Sequence, residues 1–272
     1  MNTQKLFYKN VKFDIDTYWL DPISDFTSEV KHPLVIIFPG GGFTFHSDRE
    51  AQPIALKFAA AGIHAIVLHY KLINDGKPIY PISLQETAVT LNWIKSQAEL
   101  HQIDLDKVFL IGFSAGGHIV ANYNSLMTDP ETRDEIFDEP IEVEPCATIL
   151  SYSVIDLTMG YPDSVDEATK ISPDIFYWQT QEHLTKNSKP TFIWQTVSDE
   201  TVPVMNSIVY AQKMDLLGLP YELHLFATGR HGLSLATHIT EDPGEGSYVN
   251  YADAKWWSMC LNWLKLQRIL PV

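Results

Sequence analysis

Three residue types that together can make an activated nucleophile stand at separate points of the chain: Ser114, Asp199 and His231. A serine hydroxyl is a poor nucleophile until a base takes its proton, and that base needs an acid to orient it. Ser114 lies in Gly112-Phe-Ser-Ala-Gly116, with glycines two before and two after it. The apolar run before it, from Val108, reads as a buried strand, and the small residues from Ala115 onward open a helix. That context makes the motif a nucleophile elbow, a sharp turn that strains the serine backbone and lifts its hydroxyl above a sheet edge. The helix also directs its positive end to where negative charge develops in acyl transfer.

In an open parallel sheet the three groups must come from loops at the carboxyl ends of strands. Asp199 follows the apolar strand Thr191–Thr196, and His231 follows the strand Tyr221–Phe226. Asp156 also follows a strand, one strand earlier, and Glu200 neighbours Asp199, so both are rivals for the acid. Among the histidines, His224 falls inside a strand, His238 in a later loop, and His118 one helical turn beyond Ser114, pointing along the helix. Oxyanion stabilisation needs backbone donors. The amide of Ala115 supplies one, and the run Pro39-Gly-Gly-Gly-Phe43 lets bare backbone approach a substrate, which assigns Gly41 and Gly42. Phe43 and Phe45 beside that loop predict a confined, apolar acyl slot.

The elements that must position these groups alternate along the chain. A β-hairpin is expected over residues 6–12 and 15–20, then a strand over 34–38, a helix over 53–61 closed by Gly62, and the strand His64–His69. Leu84, Ala88, Leu91, Ile94 and Ala98 mark one face of a long helix. After the elbow helix, residues 129–144 hold eight carboxylates and one arginine, which reads as a solvated loop or insertion. A strand is expected over 147–152, a small cap over 157–188, and a helix over 204–217 ended by Gly218. A last helix carries Trp256, Cys260, Trp263 and Leu264. Strands alternating with helices throughout imply one doubly wound, mostly parallel sheet in a single domain over residues 1–272.

A net charge of −15 argues against nucleic acid and against an anionic membrane surface. The two cysteines, Cys146 and Cys260, lie in apolar segments without metal-like spacing and read as buried free thiols. The first residues lack an apolar signal core and no run reaches membrane-spanning length, so a cytoplasmic protein is the expectation. Trp256 or Trp257 is a candidate for the subunit contact of a homo-oligomer.

Pro-Gly-Gly-Gly-Phe, Gly-Phe-Ser-Ala-Gly-Gly-His, the late Asp199 and His231 together resemble the α/β-hydrolase superfamily, over residues 34–231. More narrowly they are similar to small bacterial carboxylesterases of the hormone-sensitive-lipase-like and acetyl-xylan-esterase-like groups. The resemblance implies an α/β-hydrolase fold with an eight-stranded sheet, a Ser114–His231–Asp199 triad, and an oxyanion hole from Gly41, Gly42 and Ala115. It also implies a small-molecule ester as substrate and no metal or cofactor, and the confined slot beside Phe43 and Phe45 narrows that ester to acetyl to butyryl in length, acetylated carbohydrates among them. Pro39 stands where the lipase-like group has a histidine that braces the loop, so another group must brace it here. Tyr70-Lys-Leu matches that group's Tyr-Arg-Leu-Ala-Pro only in part, which favours the acetyl-esterase-like relatives. A peptidase of the prolyl-oligopeptidase type lacks room here for its large gating domain. A non-catalytic ligand-binding relative is disfavoured by the three filled triad positions. A histidine base must be neutral, so activity is expected to fall below about pH 6.5.

Overall fold

Successive side chains of a strand point to opposite faces, so a continuous apolar run must be covered on both. In the computed structural model, which describes residues 1–25 and 30–271, this alternation sets the layers. Along β3 (His32–Phe38), Leu34, Ile36 and Phe38 enter one core, and Val35 and Ile37 enter another. β4 (His64–His69) and β5 (Ile103–Phe113) divide in the same way, with Leu68 and Leu110 on the first face and Val67 and Phe109 on the second. Helices α2 (Ile82–Gln97), α3 (Ala115–Asn122) and α6 (Met205–Leu217) cover the first face. Helices α1 (Gln52–Ala59) and α7 (Trp256–Leu266) cover the second.

The remaining strands are β1 (Asn2–Tyr8), β2 (Val11–Tyr18), β6 (Ala147–Ser151), β7 (Thr191–Thr196) and β8 (Tyr221–Phe226). All eight form one sheet in the order β1-β2-β4-β3-β5-β6-β7-β8. The pairs β1–β2 and β2–β4 are antiparallel, and every other pair is parallel. This is the doubly wound, mostly parallel sheet expected of an α/β hydrolase. The hairpin starts four residues earlier than its apolar pattern suggested, because Tyr8 pairs with Val11 across a tight turn at Lys9, whose φ is +51°. Because β5, β7 and β8 run parallel, the residues just after them share one rim.

The acidic span 129–144 contains a short helix, α4 (Pro130–Ile136), capped by Asp129, whose carboxylate accepts the Thr132 amide at 3.1 Å. The span 157–188 contains α5 (Val165–Ile171) and two single 3-10 turns, Ile175–Tyr177 and Thr180–His183. Trp256 is fully buried and stacked on Trp194 at 5.0 Å, so it is core and not a subunit contact. Trp257 packs edge-on against Phe58 at 4.8 Å. Cys260 is buried, Cys146 is half-buried, and both are free. Among the described residues no helix is long and apolar enough to cross a membrane.

Candidate active site

The elbow is built by close backbone approach. Ser114, at φ +50° and ψ −118°, turns the chain from β5 directly into α3. Its amide donates to Ser151 O at 3.0 Å, and its carbonyl accepts the amides of Gly117 and Val154 at 3.0 and 3.1 Å. A Cβ on Gly116 would lie 2.2 Å from the Phe38 carbonyl oxygen, and one on Gly112 would lie 2.5 Å from Gly117 Cα. Both positions therefore need glycine so that β3, β5 and α3 can meet beneath the serine.

Asp199 and His231 sit a few residues beyond β7 and β8, in loops laced together at Gly229. Its carbonyl accepts from the Thr196 and Ser198 hydroxyls at 2.9 and 3.0 Å. The structure brings the three predicted residues into one chain of hydrogen bonds. His231 Nε2 is 2.8 Å from Ser114 Oγ, and His231 Nδ1 is 2.7 Å from Asp199 Oδ2. The second oxygen of Asp199 accepts the amides of Thr201 and Val202, each at 2.9 Å. Its side chain is fully buried, so both lone-pair directions of the acid are set by protein. Of the rivals, Glu200 is exposed at the edge of the same site. Asp156 accepts from Thr158, Gln179 and Gln181, whereas His118 is buried between the Tyr80 hydroxyl and the Trp178 carbonyl. His224 pairs with Glu222 on β8.

A cavity of about 810 Å3 opens over Ser114 and His231. Gly41 and Gly42 line it, at φ +126° and +59°, while Ala115 is buried beneath as the first residue of α3. The first amides of a helix have no partner within it, which leaves the Ala115 N–H available to a ligand. A Cβ on Gly41 would meet the Phe45 carbonyl oxygen at 2.1 Å. Phe45 lines the cavity as expected, but Phe43 does not. At φ +63° its side chain turns inward, is fully buried, and meets the His118 ring edge-on at 5.9 Å. Nor is the cavity an apolar slot: Thr44, Ser47, Tyr161, Thr201, Arg230 and Tyr248 line it.

The brace that Pro39 cannot supply comes from residues that motif reading passed over. The Tyr70 hydroxyl donates to Pro39 O at 2.6 Å. The Glu50 carboxylate, 3% exposed, accepts the Gly40 amide at 2.8 Å and the Tyr152 hydroxyl at 2.6 Å. Burial, and then the charge of Glu50, push the Tyr152 phenol well above its ordinary value, so it stays a neutral donor. Arg49 and Arg230 both lean on the Tyr248 ring, with guanidinium carbons 3.6 and 4.1 Å from its centroid. The one sequence signal for Glu50 was the missing loop histidine, which called for a nearby polar substitute. Among the described residues, no cluster of three or more His, Cys, Asp or Glu is arranged to hold a metal ion.

Comparison with known proteins agrees with this architecture. Over its full length the chain superposes on the carboxylesterase Cest-2923 from Lactobacillus plantarum WCFS1, with 44% identity, 98% of that chain covered and a TM-score of 0.98. It is 30% identical over 215 residues to endo-1,4-beta-xylanase B of Butyrivibrio fibrisolvens, covering 76% of this chain and 33% of that protein. To an acetylxylan esterase of Xylanibacter ruminicola it is 26% identical over 241 residues, covering 85% of this chain and 45% of that protein. The chain thus spans between a third and a half of the length of these curated relatives. Residues 20–214, most of the chain and including the glycine loop, the elbow and Asp199, match the BD-FAE family, and the chain belongs to that family.

Proposed function

We propose that this chain is a serine carboxylesterase that hydrolyses short-chain esters, acetyl to butyryl, through an acyl-enzyme, with acetylated carbohydrates among its substrates. The observation that carries the reading is the continuous path Ser114 Oγ–His231–Asp199 at 2.8 and 2.7 Å. In this route His231 Nε2 takes the Ser114 proton as Oγ attacks the ester carbonyl. The amides of Gly41, Gly42 and Ala115 receive the negative charge of the tetrahedral oxygen. His231 then returns the proton to the departing alkoxide, and the alcohol leaves. Water repeats the cycle on the acyl-serine, giving the carboxylic acid and free Ser114. Asp199 holds the ring with Nδ1–H toward itself, which keeps Nε2 free to accept. No step calls for a metal or a cofactor.

Several observations support the substrate class. The hydroxyls of Thr44, Ser47 and Thr201 and the rings of Tyr161 and Tyr248 suit a polyhydroxylated alcohol portion better than an aliphatic one. The similarity to an acetylxylan esterase favours an acetyl group. Two assays test the reading. A fluorophosphonate is expected to label the protein covalently, with labelling lost in Ser114→Ala. The kcat/KM for p-nitrophenyl acetate is expected to exceed that for the decanoate. Labelling that survives Ser114→Ala overturns the mechanism, and faster decanoate turnover overturns the chain-length preference.

A further inference from the structure

The turn Asp48–Glu50, between the glycine loop and α1, carries a carboxylate that the hydrolytic route leaves unused. Glu50 is buried and faces the active-site cavity, and a carboxylate is kept in such a place only where donors satisfy it. Its two oxygens are divided between two catalytic loops. Oε2 takes the Gly40 amide at 2.8 Å, immediately before the glycines that line the cavity. Oε1 takes the Tyr152 hydroxyl at 2.6 Å. That hydroxyl in turn accepts the Ser234 amide at 2.9 Å, three residues past His231, and the Tyr152 ring meets the His231 ring edge-on at 5.1 Å. The same turn grips the histidine loop a second time. The Arg49 carbonyl accepts the Ser234 hydroxyl at 2.6 Å, and the Arg49 guanidinium donates to the carbonyls of Gly232 and Thr240.

The packing leaves no slack in this arrangement. A Cβ on Gly40 would lie 2.7 Å from Glu50 Oε2 and 2.9 Å from Ser114 Cβ, so carboxylate, loop backbone and nucleophile lie against one another. We propose that Glu50 is a positioning residue: it fixes the glycine loop relative to Ser114 through Gly40, and the His231 ring relative to Ser114 through Tyr152. The inference rests on the serine-esterase reading and assigns Glu50 the place of the missing loop histidine. A single carboxylate thereby sets the oxyanion donors and the base in one frame. A misplacement of either by a fraction of an ångström would be felt in the transition state and not in ground-state binding.

The test uses the full chain and p-nitrophenyl acetate, with Glu50→Gln, Tyr152→Phe and the double variant. Each is characterised by thermal unfolding and by inhibition with a trifluoromethyl ketone, whose adduct on Ser114 mimics the tetrahedral oxygen. Glu50→Gln is expected to lower kcat about tenfold with KM changed by less than about twofold, and to weaken the ketone by the same factor. Tyr152→Phe is expected to behave alike, and the double variant to be no worse than the worse single one. If Glu50→Gln does not fold, Tyr152→Phe decides by the same criteria. A wild-type enzyme that turns over ester and is labelled at Ser114, beside folded variants with unchanged kcat, overturns the positioning role alone. A loss confined to KM does the same. A wild-type protein that neither hydrolyses the ester nor reacts at Ser114 overturns the esterase reading instead.

Discussion

Asp199 has no freedom left: one oxygen faces His231 Nδ1 and the other is held by the amides of Thr201 and Val202. An asparagine in that socket must keep its carbonyl oxygen on the two amides, so its NH2 group faces Nδ1. The ring then has to carry its proton on Nε2, facing Ser114, and the base is lost without any change in shape. Asp199→Asn is therefore expected to lower kcat by about 10⁴-fold while KM and unfolding temperature stay close to wild type. A loss below tenfold in steady-state assays would remove Asp199 from the proposed triad. The positions of the three predicted residues were readable because strand ends and chain order confine them. Glu50, Tyr152 and Tyr70 were not, because their contacts join residues 102 and 31 positions apart that no local pattern links. Phe43 was misread for a related reason. A bulky residue after three glycines looks like a pocket wall, but its positive φ directs the ring into the core.

β4, β7 and β8 have the bounds expected of them, β4 and β7 because continuous runs covered on both faces announce themselves, and β8 although it is the half-exposed edge strand. Short capped helices did not announce themselves by period, although their caps were present. Ser164 accepts the amide of Glu167 at 3.3 Å, and Ser164-Val-Asp-Glu167 has the spacing of a capping box. Among the ties on the segment 157–188 is Asp156, which accepts both the amide and the hydroxyl of Thr158 and the side-chain amides of Gln179 and Gln181. Burial raises the Asp156 carboxyl, but these donors outweigh it and hold the group below its ordinary range. Asn122 on α3 adds a bond from its side-chain amide to the Tyr177 carbonyl at 3.0 Å. Asp156→Ala strips four donors of their acceptor, and a loss of roughly 3 kcal/mol in urea-unfolding free energy is expected. A loss under about 0.5 kcal/mol would show that the segment is held by packing alone.

At the scale of the whole molecule, buried ionisable groups shifted in opposite directions shape stability across pH. Burial lowers His64 and His118 to about 4, and burial together with the neighbouring His69 lowers His46 to about 4. The rings of His64 and His118 are locked as neutral donor–acceptors, His64 between the Leu20 amide and the His101 carbonyl. Burial raises Glu86 on α2 to about 8, although its Oε2 accepts the Lys71 amide at 2.7 Å, and raises Asp253 to about 6, with neither oxygen partnered. From neutrality to pH 8 the native state holds a proton on Glu86 that the unfolded chain has released, so stability falls as pH rises. Below about pH 6.5 the unfolded chain protonates three histidines that the native state keeps neutral. These outnumber the protons held by Glu86 and Asp253, so stability falls as pH drops. Urea midpoints from pH 5 to 8.5 are thus expected to peak near neutrality, with an alkaline limb on the order of 1 kcal/mol per pH unit. Glu86→Gln, which mimics the protonated acid, is expected to flatten the alkaline limb and leave the acid limb in place. A midpoint that climbs steadily to pH 8.5 in the wild type would show that Glu86 is ionised in the folded protein. A limb unchanged by the substitution would place its origin in other groups.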